Sequence, residues 1–437
     1  MDADNGFVSD FREAAPYINY LRGKTLVVGV SGSLLEGAAL NNLAADLNLL
    51  ASLGVRIVLV HGSRSKINAL AEAAGAECRY HNGRRITDET ALNFVKQAAG
   101  MVRCDIEAAL CSSIPAAAPR SKPLSTAAGN FVSARPLGII DGIDMGYTGV
   151  VRKIDAEAVL NRLDSGALVI ISPVGHSLSG KTFNLRMGDI AEAAAVALKA
   201  EKLVYLIGQK GIIDAEGRLK STLSAAEARE MLDSGNAHPE QRRLLQYAVN
   251  AVEKGVERTH ILNGLADGSL IRELFTRKGA GTSLARDPFV SIREARSRDI
   301  PAIMALVRPL EEQGILRSRS RDYLENHIHS FSVLEHDRNI YGCAALKTFA
   351  DPEAAEIASL AVSPQSRDGG YGEMLLEHLL QKARNIGIKT LFALSTHTGD
   401  WFAERGFQTA SPDDLPEERR REYHENGRNS LVFVYRL

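Results

Sequence analysis

The chain is poor in cysteine, and the spacing of those present argues against a metal site. Its four cysteines, Cys78, Cys104, Cys111 and Cys343, form no CxxC pair and have no histidine at metal-ligand spacing. The eleven histidines are scattered along the chain. We therefore expect free thiols in a reducing compartment and no bound metal.

Excess charge and long apolar runs are lacking as well. The 52 Lys and Arg against 53 Asp and Glu leave a formal net charge of −1, which excludes nucleic acid or a membrane as a partner held by bulk charge. No apolar run approaches the roughly 18–20 residues that a spanning helix needs. The charged N-terminus also lacks the apolar core of a signal peptide. We expect a cytoplasmic protein.

What the chain does contain is enough apolar sequence for two or three domains, with 45% hydrophobic residues over a length of 437. From residue 24 short apolar runs bounded by glycine alternate with longer amphipathic stretches. This alternation predicts an α/β domain over residues 24–284, an open and mostly parallel sheet with helices on both faces. A short link (285–289) leads to a smaller α/β domain (290–437). Residues 112–126, rich in Ala, Pro and Ser, predict a mobile surface loop.

Residues 1–23 precede the first predicted strand as a helical arm. Apolar residues between positions 6 and 21 have helical spacing, with a kink expected at Pro16. Two interpretations stay open. The helix packs on its own domain, or it docks on another subunit.

A glycine-rich turn in the second domain is the most informative segment. An apolar strand ends at Val362 and a helix starts near Glu373, with glycines between them. Unpaired N–H groups at a helix N-terminus can bind a pyrophosphate that approaches closely where no Cβ intervenes. The order Val-Ser-Pro followed by Arg-x-x-Gly-x-Gly, with WFAERGF at 401–407, resembles the GNAT acetyltransferases.

This resemblance implies acetyl-CoA as co-substrate. In the family the strand before the loop separates from its neighbour, and the pantetheine arm lies in the gap. The resemblance places the arm on the backbone of Leu360, Ala361 and Val362. It places the pyrophosphate on Arg367, Asp368, Gly369, Gly370, Tyr371 and Gly372.

Acetyl transfer to an amine requires a base, because an ammonium group has no lone pair. Glu356, at the start of the strand EIASLAV, is the predicted base, acting directly or through a water. Many acetyltransferases have a tyrosine that protonates the leaving thiolate, but this chain has Phe402 at that position. The general acid is therefore unassigned.

The acceptor is predicted from a group of cationic residues, since arginine can bind a carboxylate through two parallel hydrogen bonds. The segments RPLEEQGIL, GCAALKTF and NGRNS resemble the acetyltransferase domain of N-acetylglutamate synthases. That resemblance implies that glutamate contacts Arg319, Lys347, Arg428 and Ser430. His397 occupies a position that is usually asparagine, which leaves its role open.

The first domain resembles the amino acid kinases, acetylglutamate kinases in particular, through LVVGVSGSLLEG, VLVHGSRS and EKLVYLIGQKGI. A working kinase has a lysine at the position of Gly29 and a glycine pair where this chain has Ser31-Gly32. Without that cation we expect no phosphoryl transfer and no magnesium. The domain is then a regulatory unit or a structural platform.

Arginine regulation is the sharper interpretation of the first domain. Arginine-sensitive kinases and synthases of this family have an N-terminal helix and a pocket near the end of this domain. The resemblance implies that the effector L-arginine contacts Tyr17, Tyr20, Lys202, Glu273, Thr276, Gly279 and Gly281. The N-terminal helix would then also be the contact that assembles dimers into a larger ring, a homo-oligomer such as a hexamer.

The predicted function is acetyl transfer from acetyl-CoA to the α-amine of L-glutamate, the first step of arginine biosynthesis, inhibited by arginine. Three alternatives remain open at this point. They are a bifunctional synthase–kinase, a non-catalytic sensor of arginine and acetyl-CoA, and an acetyltransferase with another acceptor.

Overall fold

The apolar runs fold as strands of two separate units in the computed structural model, Met1–Pro288 and Phe289–Leu437. The structure describes residues 2–112, 124–214, 216–238, 241–276, 279–287, 290–336, 339–349, 353–364, 370–396, 399–426 and 430–437. Five predicted site residues lie outside these ranges, namely Arg367, Asp368, Gly369, His397 and Arg428. Most of the predicted surface loop at 112–126 lies outside them too.

An eight-stranded sheet forms the centre of the first unit. In spatial order its strands are β14 (Thr222–Ser224), β16 (Gly281–Ala285), β15 (Arg258–Asn263), β13 (Lys202–Ile207), β1 (Thr25–Val30), β2 (Arg56–His61), β10 (Leu168–Ile171) and β5 (Thr126–Ala128). Every neighbouring pair is parallel except β15 with β16. The sheet is thus open and mostly parallel.

Helices cover both faces of this sheet. They are α1 (Asp2–Leu21), α2 (Gly37–Ser52), α3 (Arg64–Ala73), α4 (Glu89–Ser112), α5 (Ala156–Asp164), α6 (Met187–Ala197), α7 (Ala225–Asp233), α8 (Arg242–Glu253) and α9 (Ser269–Phe275). On β1, Leu26 and Val28 belong to one core and Val27 to the core on the opposite face. Burial on both faces is why these strands are continuous apolar runs rather than alternating ones.

Helix α1 is longer than predicted and contains Pro16. Its last turns pack on the first unit, where Tyr17 and Ile18 contact the core beside α9. Its first half leaves Phe7 70% and Phe11 58% exposed, with the two rings stacked 6.0 Å apart.

Smaller sheets complete the first unit. One has the order β12 (Thr182–Asn184), β11 (Val174–His176), β6 (Val132–Pro136) and β9 (Gly149–Ile154). Two hairpins pair β3 (Tyr80–His81) with β4 (Arg84–Arg85) and β7 (Ile139–Ile140) with β8 (Ile143–Asp144).

The second unit is built on a seven-stranded sheet. In spatial order its strands are β17 (Val290–Glu294), β18 (Phe331–His336), β19 (Asn339–Thr348), β20 (Ala354–Val362), β21 (Thr390–Ser395), β23 (Leu431–Arg436) and β22 (Gln408–Ala410). Its helices are α10 (Ile300–Glu312), α11 (Arg321–His327), α12 (Tyr371–Asn385), α13 (Gly399–Ala403) and α14 (Glu417–Asn426). Only β20 and β21 run parallel. The predicted fold class is confirmed.

Among the described residues no helix is both long enough and apolar enough to cross a bilayer.

Candidate active site

The parallel strands β20 and β21 separate in the middle of the second sheet. Their ladder runs from the pair Ala354 and Thr390 to the pair Ile357 and Ala393. Beyond it β20 continues to Val362 and β21 to Ser395, without pairing to each other. The backbone of β20 on this side is therefore available to a ligand that lies between the strands.

A bulge in β20 accompanies this separation. The register with β19 shifts between the pair Cys343–Ala361 and the pair Ala345–Ala358. Ser359, inside the shift, has φ of 51°, a left-handed conformation that is rare for a residue with a side chain. Bulges of this kind bend a strand and redirect its groups. Here the bent segment lines a cavity.

Helix α12 begins where the bulged strand ends. Its N-cap is Gly370, with φ of 69°, and its first residue is Tyr371. The Tyr371 hydroxyl is 2.6 Å from His336 Nδ1. Gly372 lies beside Trp401 and Val362, so that an added Cβ would be 3.4 Å from the indole. Gly370, Gly372 and Glu373, at the start of the helix, line the cavity. A helix N-terminus carries unpaired N–H groups that can bind a phosphate.

The cavity between the separated strands has a volume of about 520 Å³. Its walls include the bulged part of β20, the start of α12 and the aromatic pair Trp401 and Phe402. Of the predicted cofactor residues that the structure describes, Leu360, Ala361, Val362, Gly370 and Gly372 line it. The side chain of Tyr371 instead packs against His336 and Tyr341.

Glu356 lies in the same cavity and is bound to a buried arginine on α14. Arg419 donates through Nε to Oε2 of Glu356 at 2.8 Å and through Nη2 to Oε1 at 3.1 Å. The two side chains are only 7% and 6% exposed. A buried carboxylate needs such a partner, because desolvation would otherwise favour its protonated form. Arg419 therefore fixes the position of the Glu356 carboxylate.

Cations surround the Glu356 end of the cavity. Arg317, Arg319 and Arg419 all line it, together with Ser430. The Arg319 guanidinium stacks 4.3 Å above the Tyr323 ring, and burial, with Arg317 nearby, lowers its pKa. Lys347 lies directly opposite Glu356 in the β19–β20 ladder. Of the predicted acceptor residues that the structure describes, Arg319 and Ser430 line the cavity, and Lys347 lies on the neighbouring strand outside the lining.

One carboxylate on α14 balances part of this charge. Glu422 is 3.2 Å from Lys347, 3.5 Å from Arg317 and 3.6 Å from Arg419. Partial burial raises the pKa of Glu422. Lys347 and the two arginines lower it by more, so that the pKa of Glu422 lies below its ordinary value. The Nη1 of Arg419 has no hydrogen-bond partner in the described part of the chain. The acceptor end therefore holds more cationic groups than anionic ones.

Sequence reasoning missed Arg419, Glu422 and Ser395. Ser395 ends β21, is buried and lines the cavity. The two α14 residues come from the run EERRREYHEN, whose composition is that of an ordinary solvated helix. No spacing signal separates the buried Arg419 from its exposed neighbours.

A second polar cluster lies in the first unit, on the adjacent strands β13 and β15 and on helix α9. Nδ1 of His260 is 2.6 Å from Oε1 of Glu273, and its Nε2 is 3.1 Å from Nζ of Lys202. Burial, and then the charge of Lys202, lowers the pKa of His260 to about 4. A neutral His260 accepts from the Lys202 ammonium and donates to Glu273. The histidine, absent from the predicted set, links the two predicted residues.

Two glycines beside this cluster, Gly279 and Gly281, lie so close to neighbouring atoms that a side chain would not fit at either position. The Ala280 N–H donates to Oε2 of Glu273 at 2.5 Å. A Cβ at Gly279 would be 2.6 Å from the same oxygen, and Gly279 has φ of 62°. A Cβ at Gly281 would be 2.3 Å from the Ile261 carbonyl oxygen. The backbone therefore encloses Glu273 closely.

The other residues predicted for arginine lie on the flanking helices. Tyr20 donates a hydrogen bond to Glu201, the residue before Lys202. Tyr17 packs on the core beneath α1. Thr276 ends α9 and donates to the Arg272 carbonyl at 2.7 Å.

Side chains from neighbouring elements occupy the space beside Gly29, the position at which a working kinase has its lysine. A Cβ at Gly29 would be 2.7 Å from Sδ of Met187 and 3.0 Å from the Tyr205 ring. A lysine there would require these neighbours to move. In the described residues no group of three or more His, Cys, Asp or Glu side chains is placed to hold a metal ion.

Comparisons with known proteins agree with both units. The amino acid kinase family matches residues 24–263, and the acetyltransferase (GNAT) family matches residues 289–407. An amino-acid acetyltransferase of Neisseria meningitidis serogroup B is 58% identical over all of this chain and all of its own length.

Two solved structures of N-acetylglutamate synthase from Neisseria gonorrhoeae are also similar. One, complexed with coenzyme A and L-arginine, has 57% identity and a TM-score of 0.93, with 99% of each chain covered. The other, complexed with coenzyme A and N-acetyl-glutamate, has 58% identity and a TM-score of 0.64, again with 99% of each chain covered. Identity at this level over the whole length establishes that the chain belongs to the amino-acid acetyltransferase family, with an amino acid kinase unit followed by a GNAT unit.

Proposed function

We propose that this chain transfers the acetyl group of acetyl-CoA to the α-amine of L-glutamate and that L-arginine controls the reaction. The observation that carries the proposal is the cavity between β20 and β21, which joins a cofactor cleft to a cationic acceptor end around Glu356. The related N-acetylglutamate synthase binds coenzyme A and N-acetyl-glutamate.

The cofactor fits the cleft by its chemistry. Acetyl-CoA combines a pantetheine arm, whose amides pair with extended backbone, with a pyrophosphate that suits a helix N-terminus. The unpaired edge of β20 at Leu360 to Val362 receives the arm, and the start of α12 at Gly370 receives the pyrophosphate. This arrangement directs the thioester toward Glu356, where the two strands meet.

The reaction needs one proton acceptor and one site for the leaving thiolate. Glu356 accepts a proton from the glutamate ammonium, directly or through a water, which frees the nitrogen lone pair. The nitrogen then attacks the thioester carbonyl, a C–N bond forms, and the C–S bond breaks. The nitrogen loses its extra proton and the leaving thiolate takes one up, so that coenzyme A leaves as the thiol. Backbone N–H groups of the bulged strand stabilise the oxyanion. Arg419 holds the Glu356 side chain in place during this proton transfer.

Acceptor choice follows from the charges at the Glu356 end. A dicarboxylate with a free amine complements Arg317, Arg319 and Lys347, whereas a polyamine would be repelled. Ser430 adds a hydroxyl at the same end. The chain length of the acceptor then depends on how far these cations lie from the thioester.

Thiol release from acetyl-CoA tests the proposal, with L-glutamate, L-aspartate, L-ornithine or no acceptor. We expect release that depends on L-glutamate and a product whose mass equals that of acetylated glutamate. Release with ornithine in preference to glutamate would identify ornithine as the acceptor. Binding of acetyl-CoA without release for any acceptor would indicate a non-catalytic sensor rather than an enzyme.

We assign L-arginine to the Lys202–His260–Glu273 cluster of the first unit. Glu273 supplies a carboxylate for the guanidinium, and Lys202 an ammonium for the effector carboxylate. Calorimetric titration of arginine into the wild type, Glu273→Gln and the exposed-site control Glu72→Gln tests this. Only Glu273→Gln should lose affinity for arginine. Equal affinity in all three proteins would show that arginine binds at another site. A cytoplasmic location and a homo-oligomer remain predictions.

A further inference from the structure

Arg405 is a cation of the second-unit cavity that the predicted cofactor and acceptor residues do not include. It lies just after helix α13 and lines the cavity together with Gly370, Gly372 and Trp401. The other cationic residues in the described lining gather around Glu356 and are Arg317, Arg319 and Arg419. The charge of Arg405 therefore belongs to the part of the cavity where α12 begins.

Trp401 holds Arg405 beside the start of α12. The Arg405 guanidinium stacks 4.3 Å from the centre of the Trp401 ring, and its Nη1 donates to the Trp401 carbonyl at 3.0 Å. A Cβ at Gly372, in the first turn of α12, would be 3.4 Å from the same indole. Such contacts fix the position of a cation before a ligand arrives, which lowers the entropy cost of binding.

Much of the hydrogen-bonding capacity of this guanidinium is unused. Nε of Arg405 is buried and has no hydrogen-bond partner in the described ranges. Nη2 is 3.8 Å from Oε2 of Glu373, which is longer than a hydrogen bond. Glu404 accepts from Nη1 at 3.3 Å, but its side chain is exposed, and exposed ion pairs contribute little. The Arg405 side chain is itself partly exposed, so a ligand in the cavity can reach it.

The position of Arg405 beside a helix N-terminus favours an anion between them. The start of α12 carries a partial positive charge, and Arg405 adds a full one. Glu373, in the first turn of α12, offsets part of this potential but would repel a phosphate. Arg405 reduces that repulsion because it lies beside the Glu373 carboxylate. An anion at the start of the helix would thus receive hydrogen bonds from the backbone and from Arg405.

We propose that Arg405 binds the pyrophosphate of acetyl-CoA and thereby selects donors that carry this group over shorter thioesters. The inference rests on the proposed acetyl transfer, because it concerns the co-substrate of that reaction. The planar guanidinium suits phosphate oxygens, to which it can donate two parallel hydrogen bonds. The pantetheine arm and the thioester lie along β20 in the proposed function. Binding of the pyrophosphate by Arg405 is therefore separable from the chemistry at Glu356.

Kinetics with donors of different length test the proposal in the full chain, with L-glutamate as acceptor. The donors are acetyl-CoA, acetyl-dephospho-CoA, which lacks only the 3′-phosphate, and S-acetyl-pantetheine, which lacks the pyrophosphate as well. Arg405→Gln should raise the KM for the first two donors by the same factor, about tenfold, the effect of losing a charged hydrogen bond. The kcat/KM for S-acetyl-pantetheine should stay at the wild-type value.

Two further variants and the short donor separate binding from folding. Arg405→Lys keeps the charge and should give a KM for acetyl-CoA between those of the wild type and Arg405→Gln. Arg384→Gln, an exposed arginine near the other end of α12, should leave every constant unchanged. A fall in kcat/KM with S-acetyl-pantetheine equal to that with acetyl-CoA would make Arg405 a structural support of Trp401 and would overturn the proposal. An unchanged KM for acetyl-CoA in Arg405→Gln would overturn it as well, and so would a rise confined to the donor with the 3′-phosphate.

Calorimetric titration distinguishes failure of this inference from failure of the proposed function. If the wild type released no thiol with L-glutamate, the proposed function would fail, whereas binding of coenzyme A could still be measured. Arg405→Gln should then weaken the binding of coenzyme A and of dephospho-coenzyme A by the same factor of about ten. Equal affinity in the wild type and the variant would overturn the inference whatever the outcome for the reaction.

Discussion

At the residue scale the central feature is a base that is itself an ion-pair partner. Glu356 is buried, and both of its oxygens accept hydrogen bonds from Arg419. A bidentate pair fixes the carboxylate more firmly than a single bond. The residue is therefore oriented for proton transfer rather than free to rotate.

Glu356→Gln should lower kcat by about 10² to 10⁴, the range for removing a general base. The KM for acetyl-CoA should change little, because the cofactor cleft is intact. Stopped-time thiol-release assays measure both constants. Because the substitution leaves Arg419 without its counter-charge, the pair variant Glu356→Gln with Arg419→Gln serves as a folding control. Activity close to wild type in Glu356→Gln would assign the base elsewhere.

Glu422 gives a prediction of the opposite sign. Its carboxylate forms ion pairs with Lys347, Arg317 and Arg419. The substrate carboxylate must compete with Glu422 for the same cations. Glu422→Gln should therefore lower the KM for L-glutamate several-fold while the KM for acetyl-CoA stays constant. Glu325→Gln, in an exposed pair with Arg321 on α11, should change neither constant. A raised KM for glutamate would make Glu422 a support of the site rather than a competitor.

The sequence predicted some site residues and not others for a physical reason. Arg319 and Ser430, suggested by family resemblance, line the cavity. Arg419 and His260 were missed because their roles depend on which face of an element is buried. A single arginine in a run of charges, or a histidine in a strand, carries no such information before the fold is known.

At the element scale the bulge in β20 determines where the cleft opens. Strand β20 was predicted to end at Val362, and it does. The separation from β21 was implied by the resemblance, whereas the residue that bends the strand was not predicted. Ser359 has φ of 51°, and periodicity cannot reveal a left-handed residue within an apolar run. Serine does not mark such a position as glycine would.

Substitutions at Ser359 test whether the bulge positions the cofactor. Ser359→Gly should retain acetyl-CoA affinity, because glycine adopts this conformation freely. Ser359→Val should destabilise the bulge by about 1–2 kcal/mol, since a β-branched residue is disfavoured at positive φ. It should also raise the KM for acetyl-CoA. Equal KM values for acetyl-CoA in the two variants would show that the bulge does not position the cofactor.

The end of β2 carries a pH-dependent contribution to stability. His61 is fully buried, and its Nε2 is 2.9 Å from the Ser172 hydroxyl. Burial lowers the pKa of His61 to about 4, below its ordinary value of 6.5. The unfolded chain therefore takes up a proton on this residue at a higher pH than the folded chain does. Stability is full above pH 6.5 and falls as the pH drops from 6.5 to about 4.

Each pKa unit corresponds to about 1.4 kcal/mol, so the loss from His61 approaches about 3 kcal/mol across this window. Urea unfolding followed by circular dichroism between pH 7 and pH 4.5 measures it. His61→Gln should reduce the dependence in this window and leave the part that the equally buried His260 contributes. His329→Gln, an exposed control, should leave the whole dependence unchanged. Trp401, the single tryptophan, lies in the second unit and gives a separate fluorescence signal. An unchanged slope in His61→Gln would contradict the assignment.

At the scale of the whole molecule, two units of different ancestry share one chain. The kinase-like unit has Met187 and Tyr205 beside the position of the kinase lysine, and it holds the buried Lys202–His260–Glu273 cluster. The acetyltransferase unit holds the cavity with Glu356. Alternation of strands and helices predicted the fold of the first unit, because a parallel sheet buried on both faces imposes continuous apolar runs. The fold of the second unit, whose sheet is mostly antiparallel, was implied by the family resemblance. Side-chain pairing inside each unit was beyond such patterns.

Control by arginine requires that the effector bind active and inactive states with different affinity. The most direct test of the whole account is the arginine titration of glutamate-dependent thiol release, in the wild type and in Glu273→Gln. We predict that arginine suppresses release in the wild type and that Glu273→Gln releases thiol at the uninhibited rate whatever the arginine concentration. Two results would contradict the account. One is thiol release in the wild type that arginine does not change, and the other is equal suppression by arginine in the wild type and in Glu273→Gln.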